Sequence, residues 1–404
     1  MNNYIQKGTP QYWRAISALF LGTLASFGIM YCTQPLIPIF SKEFGLNPSV
    51  ASLAMSVTSG GLAISMLVIA GLAGFLDRKL TMAVSLLGSA ILAVASAFSN
   101  DFTTILICRA FQGVLVAGFP ALAMAYINEE FEPGITGFVI GIYISGTSIG
   151  GLSSRLLVST LTDFFSWKIA LVCIGILYLT ISIWFCFGIP KSKHFLPQKH
   201  LPQHMVSDLL QNLRSPVTLR LYLIAFAIMG SFSAVYNYIG YSLMAPPYNL
   251  SQTAVGGLFL LYLLGTFSST FMGGMADRFG SASILCLSMA IMLVGGIVTL
   301  MASLAFKIIG LAIFTFGFFG SHSTATGWVG KSCLGDKAQA ASLYLLFYYF
   351  GASVIGTVGG LFLSSYGWPG VILLSGFISG VALLLSIRLL TTETHRAMPE
   401  CVES

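Results

Sequence analysis

The sequence predicts an all-α membrane protein with twelve spans arranged as two similar six-helix halves. Three observations predict it. Hydrophobic residues make up 56% of the chain, charged residues only 8%, and the mean hydropathy is +0.87. An ordinary soluble domain carries about 25% charged residues, so the surface is not one that water could cover. Apolar windows of the length needed to cross about 30 Å of hydrocarbon recur along the whole chain. A single long polar stretch divides them six and six.

In order, the first half places spans at 14–39, 50–76, 81–99, 102–127, 135–161 and 168–189. The second half places them at 219–245, 253–275, 282–303, 306–329, 339–364 and 368–390. The first window is too long for a signal-peptide core and lacks a cleavage site, so it is expected to remain as a helix. The domain organisation is therefore a six-helix half at 1–189, a linker at 190–218, and a second half with its tail at 219–404.

The linker region contains Pro190, Pro197, Pro202 and Pro216 among basic residues, with His194, His200 and His204. It reads as a solvated connection rather than a metal tract, because no Cys or carboxylate completes a site nearby. The seven cysteines are scattered without ligand spacing and read as buried apolar residues. No metal and no cofactor is expected.

Lys and Arg outside the spans report orientation. With the N-terminus inside, the inner segments hold Lys7, Arg14, Arg78, Lys79, five basic residues of the central loop, Arg278, Lys331, Lys337, Arg388 and Arg396. The outer segments hold only Lys42, Lys168 and Lys307. Both termini are thus expected in the cytoplasm. The net charge of +6 is explained by this asymmetry and the anionic surface of lipid, which sets aside nucleic acid as a partner.

A weak repeat with an offset near 200 residues supports a parallel duplication. Asp77-Arg78 corresponds to Asp277-Arg278, and Trp167 to Trp368. Ser26-Phe27 with Tyr31 corresponds to Ser231-Phe232 with Tyr236. Duplicated six-helix units of this kind enclose a central cavity between them.

Several segments carry a family resemblance. The run Gly273-Gly274-Met275-Ala276-Asp277-Arg278-Phe279-Gly280 is similar to the loop signature of the major facilitator superfamily. Its first-half counterpart, around Asp77 and Arg78, is shortened and lacks the second Gly. Arg109, Gln112 and Gly113 match the family's Arg-x-x-Gln-Gly pattern, on one helical face. Gly146 to Gly151 resembles the antiporter motif of the twelve-span drug:proton antiporter group, with Thr147 where that group has Pro.

The resemblance implies a major-facilitator-type twelve-helix bundle in a bacterial inner membrane, working as a monomer by alternating access. It implies export of a small organic solute, with proton antiport as a further possibility. Uptake or facilitated diffusion by the same helices is the alternative. It also implies that Asp77, Arg78, Gly273, Asp277 and Arg278 form a cytoplasmic gate. A membrane-embedded enzyme is disfavoured by the absence of paired carboxylates, zinc spacing and a P-loop. A nontransporting sensor would be expected to carry a sizeable soluble domain.

Ionisable residues inside a membrane are candidates for function. Arg109, Arg155 and His322 lie well within the spans. Arg109 and Arg155 fall at similar depths on consecutive helices, where they either converge on one anion or brace helices through carbonyls. Tyr143, Thr147, Gly151 and Arg155 recur every four residues and form one stripe. His322 is a candidate proton-coupling group or a hydrogen-bonded structural residue. Gln112, Tyr31, Gln34, Tyr236, Asn237, Tyr344 and Tyr348 complete the candidate solute-binding set, each with a helix contact as the alternative. Partners expected are therefore a small molecule, anionic if the two arginines converge, protons if coupling holds, and the lipid bilayer.

Overall fold

The computed structural model describes residues 4–195, 205–333 and 337–397. Part of the linker, with His200 and His204, lies outside the described residues. Among the described residues, eleven segments are long and apolar enough to cross a membrane, and the last of them, Gln339–Thr391, has 53 residues. At 1.5 Å per residue a straight helix of that length would reach about 80 Å, more than twice a bilayer core. It turns instead at Gly367, whose φ of 63° suits a residue without Cβ, just ahead of Pro369. The expected eleventh and twelfth spans follow from that bend.

The described residues form two compact units. One takes those of Met1–Leu46, Ala51–Gln203 and Leu250–Phe259, and the other those of Asn47–Val50, His204–Asn249 and Leu260–Ser404. In the first unit the helices are α1 (Pro10–Tyr31), α2 (Ile37–Glu43), α3 (Pro48–Leu72), α4 (Arg78–Ala97), α5 (Phe102–Val116), α6 (Gly118–Glu130), α7 (Thr136–Phe164) and α8 (Trp167–Gly188). The first turn of α3 belongs with the second unit. In that unit α9 (Met205–Arg214) and α10 (Pro216–Met244) are followed by α11 (Gln252–Gly257), which is grouped with the first unit. Then come α12 (Tyr262–Phe279), α13 (Ser281–Val298), α14 (Leu304–Ser332) and α15 (Lys337–Ala397).

Helix starts follow local chemistry. Thr9 accepts from Tyr12 N–H ahead of Pro10, which needs no amide partner at the first helical position. Ser166 and Ser251 cap α8 and α11 in the same way. Asp101 caps α5 by accepting from the Thr104 amide and hydroxyl, and these bonds hold its carboxyl below the usual range.

Three windows read as continuous are interrupted. The first breaks after Tyr31, where Pro35 and Pro38 follow and a 3-10 turn spans Gln34–Leu36. The fourth is divided at Ala117, three residues before Pro120, and the eighth passes through a 3-10 turn at Leu258–Leu261.

Within each unit, glycine sets the closest packing. A Cβ on Gly150 of α7 would fall on the Leu24 carbonyl of α1, and one on Gly351 of α15 would fall on the Phe226 carbonyl of α10. Gly137 and Gly141 of the same α7 face open space instead. Large apolar side chains such as Phe111, Phe267 and Leu373 stand exposed on the outside, as a lipid-facing surface requires.

Replacing Gly150 with Val should destabilise the fold by about 1–3 kcal/mol through overpacking, whereas Gly141→Ala should be neutral. Thermal unfolding of the detergent-solubilised variants checks this. Equal midpoints would remove the packing argument.

Candidate functional site

The break after α1 leaves the last carbonyls of that helix without intrahelical partners. Arg109 of α5 meets them. Its Nη1 donates to the Ile29 carbonyl at 2.9 Å and its Nη2 to the Met30 carbonyl at 2.6 Å. Nε donates to the Ala54 carbonyl of α3 at 2.9 Å, and Nη1 also reaches Gln112 Oε1 at 2.8 Å. Gln112 Nε2 passes the network on to the Ser89 carbonyl of α4 at 3.0 Å. Arg109 and Gln112 are both completely buried. Gly113 lets α5 lie on the Thr58 backbone of α3, and the Thr58 hydroxyl donates to the Arg109 carbonyl at 3.1 Å.

Arg155 of α7 approaches the same stretch of chain from another side. Nε donates to Gln34 Oε1 at 2.7 Å and Nη1 to the Gly151 carbonyl at 2.7 Å. The guanidinium carbon lies 4.0 Å from the Tyr31 ring centroid and 4.8 Å from that of Phe259, both within cation–π range. Gly151 belongs to this geometry, because a Cβ there would sit 3.1 Å from Arg155 Nη1.

The segment that delivers Phe259 runs along α7 in register. The Thr253 amide donates to Asp163 at 3.1 Å, Gly256 fits against Ser159, and Phe259 covers Arg155. Gln252 Nε2 donates to the Pro35 carbonyl at 2.6 Å, while its buried Oε1 has no hydrogen-bond partner among the described residues. Gln252 and Phe259 were not candidates from the sequence, since they lie about 100 residues from Arg155 and no motif marks them. Tyr143 is buried further along α7, and Thr147 is half-buried, its hydroxyl donating to the Ile144 carbonyl.

In the second unit the candidates gather as an aromatic cluster. His322 Nδ1 lies 3.0 Å from the Tyr344 hydroxyl, and the imidazole sits 4.6 Å from the Tyr348 ring and parallel to Phe318. Phe318 stacks on Phe232 at 3.8 Å, and Phe232 leads to Tyr236, whose hydroxyl shares a 2.6 Å hydrogen bond with Thr315. Asn237 is buried on the same helix, α10.

The gate candidates are unequal. Arg78 pairs with Glu129 through two hydrogen bonds, at 2.7 and 3.1 Å, donates to the Ala73 carbonyl, and lies over the Phe195 ring. Asp77 is exposed and caps α4 by accepting from the Leu80 amide at 2.7 Å. Asp277 pairs with Lys331 at 2.9 Å, but the two side chains are 70% and 62% exposed, where such a pair contributes little. A Cβ on Gly273 would meet open space, Arg278 stands in the last turn of α12, and Gly280, at φ 88°, ends that helix. The second-half loop carries the fuller signature, while the better-shielded ion pair, Arg78 with Glu129, stands at the shortened first-half loop.

Close by, the Glu130 carboxylate accepts from the Ser192 hydroxyl, the Lys193 and His194 amides, and faces the His194 ring. His194 therefore holds the start of the linker to α6.

A family model for the Major Facilitator Superfamily matches residues 19–333 and 221–400. The chain is 44% identical over 383 residues to the MFS-type transporter YybF of Bacillus subtilis (strain 168), covering 95% of both. It is 40% identical over 398 residues to the inner membrane transport protein YnfM of Escherichia coli (strain K12), covering 98% of this chain and 94% of that one. A crystal structure of a bacterial homologue of the human lysosomal transporter Spinster, inward-facing and unoccupied, shares the fold. Its TM-score is 0.75 at 14% identity, over 95% of this chain and 96% of that one.

Arg109→Gln should lower the unfolding midpoint markedly, since it removes charged donors from three buried carbonyls and leaves that of Met30 without a side-chain donor among the described residues, at a cost of about 1–3 kcal/mol for an orphaned group. Lys should not restore it, because one ammonium cannot replace a planar fork aimed at two helices. A Gln variant as stable as the parent would show that these carbonyls do not depend on the arginine. At the loops, Arg78→Gln should destabilise by about 1–3 kcal/mol and Lys331→Gln by less than about 0.5, read in the same assay.

Proposed function

The chain belongs to the major facilitator superfamily and is a multi-pass membrane transporter; from that premise we propose that it exports a small organic anion by alternating access. Arg155 is the group that recognises the anion. The observation that carries this reading is its setting: a buried guanidinium beside a helix break, held by an amide oxygen and a carbonyl and lying against two rings.

A carboxylate or phosphate entering this setting would replace Gln34 Oε1 with a charged acceptor, and charge-assisted hydrogen bonds are about twice as strong as neutral ones. Gln252 Oε1 offers a nearby acceptor for a hydroxyl or amine on the same solute. Arg109 and Gln112 have a different part in this proposal: they brace α1, α3, α4 and α5 and do not touch solute. Tyr31 and Gln34 border the site, and Tyr143, about three turns away along α7, is a further candidate contact within the first unit. Tyr236, His322, Tyr344 and Tyr348, with Asn237 on α10, are candidate solute contacts within the second unit.

Both termini face the cytoplasm of a bacterial cell, in its inner membrane, which the asymmetry of Lys and Arg and the similarity to an inner membrane protein support. Proton coupling has a candidate in His322, the one histidine within the spans.

The test is transport into inverted vesicles of matched radiolabelled carboxylates, phosphates and cations. Anion accumulation against its gradient, dependent on a proton gradient, is the expected result. Arg155→Gln should weaken it by one to two orders of magnitude at equal expression, with Lys only partly effective. Exclusive transport of cations, or full activity in Arg155→Gln, would overturn the anion reading. Accumulation only in right-side-out vesicles would reverse the direction.

A further inference from the structure

At the end of the first unit that carries the N-terminus and the linker, a cavity of about 540 Å3 lies between α1 and α8. Thr9, Gln11 and Arg14 line it from α1, and Phe187, Ile189 and Pro190 from the end of α8 and beyond. The solute reading makes no use of it.

Helix α8 ends at Gly188, so its last carbonyls need donors from elsewhere. Arg14 Nη2 donates to the Phe187 carbonyl at 2.7 Å, and Lys79 Nζ donates to the Ile189 carbonyl at 2.7 Å. Each bond uses one donor of a group that has several, five on a guanidinium and three on an ammonium. Carbonyls two residues apart therefore hold the two cationic heads, Arg14 in the lining and Lys79 at the lining residue Ile189, and each head keeps further N–H groups for a ligand. Lys79 also feels the positive charges of Lys191 and Arg14, against one carboxylate, Asp77, which already accepts from the Leu80 amide.

Phe187, in the lining of the cavity, is 72% exposed, and Trp13, next to Arg14 in the first turn of α1, is 62% exposed, both at helix ends where water gives way to hydrocarbon. A small soluble anion would gain nothing from these two rings. A molecule with a phosphate at one end and alkyl chains at the other would use both features.

We propose that this cavity binds the phosphodiester headgroup of an anionic phospholipid, with Arg14 and Lys79 as the phosphate contacts. Lys191 adds attraction at longer range, and Trp13 and Phe187 lie against the first carbons of the acyl chains. The site is separate from Arg155, so its failure would leave the solute reading untouched. Its placement in the cytoplasmic leaflet rests on the orientation proposed above.

Native mass spectrometry of the full-length protein, titrated with phosphatidylglycerol or phosphatidylcholine in detergent, tests it. The parent should bind phosphatidylglycerol at least about tenfold more tightly. Each of R14Q, K79Q and K191Q should weaken this about fivefold, and R14Q/K79Q together about 30-fold. The charge-retaining R14K/K79R pair should keep most of the affinity, and K168Q, at the opposite end of α8, should match the parent. Millimolar inorganic phosphate should not displace the lipid. Equal binding of the two lipids by the parent, or no loss in R14Q/K79Q, overturns the proposal. Displacement by inorganic phosphate would make it a phosphate-ion site and overturns the lipid assignment. If R14Q/K79Q does not fold, the lipid preference of the parent and the loss in K191Q decide the outcome.

Discussion

A helix that stops inside hydrocarbon exposes carbonyls that lipid cannot satisfy, and each unmet group costs several kcal/mol. Helix α1 stops at Tyr31, and the first unit is organised around that fact. Arg109 brings a fork of donors to Ile29 and Met30 and reaches α3 with its remaining nitrogen. The Cys32 thiol adds a bond to the Ile29 carbonyl. A positive charge at this position also meets the negative end of the α1 dipole. The cost of placing an arginine at membrane depth is thereby offset by closing a break that would otherwise be untenable.

The two units use the same packing device and differ in what they place near it. Gly150 on Leu24 and Gly351 on Phe226 bring the fifth span onto the first and the eleventh onto the seventh. The indole of Trp167 donates to Glu43 at 2.6 Å, and that of Trp368 to the Thr299 carbonyl and hydroxyl at 3.2 Å. Duplication thus survives in backbone approach and helix anchoring. The polar centres have diverged, to arginine and glutamine in one unit and to stacked aromatics with a histidine in the other.

Twelve spans were legible because a span needs only length and apolar composition, and both are local properties of the chain. The face shared by Arg109, Gln112 and Gly113 was legible for the same reason, since helical spacing fixes it. What lies opposite that face was not. The acceptors of Arg109 come from residues about 55 and 80 positions away, and they become available only because a helix breaks there. Pro35 and Pro38 were the visible signal of that break, yet the apolar window ran through them. The loops show the same limit: the loop signature counts glycines near Asp277, while Glu129, the half-buried partner of Arg78, lies in a different helix.

The contrast between the two arginines shows why membrane depth alone does not identify a solute site. An anion taking the donors of Arg109 would leave the Met30 carbonyl without a side-chain donor among the described residues, and would strip the guanidinium bonds from the carbonyls of Ile29 and Ala54, which keep only the Cys32 thiol and the Thr33 and Thr58 hydroxyls as side-chain donors. An orphaned group costs about 1–3 kcal/mol and each bond to a charged donor is worth about 1.5–3, so the exchange would cost more than one charge-assisted bond returns. At Arg155 the acceptor that must give way on Nε is a side-chain amide on a 3-10 turn, which can rotate to another partner. The two rings beside the guanidinium need not move for that exchange. On the proposed reading, the same cation in the same membrane is therefore a brace where all its helix contacts are backbone carbonyls, and free to exchange an acceptor where, as on Nε of Arg155, it meets a side chain.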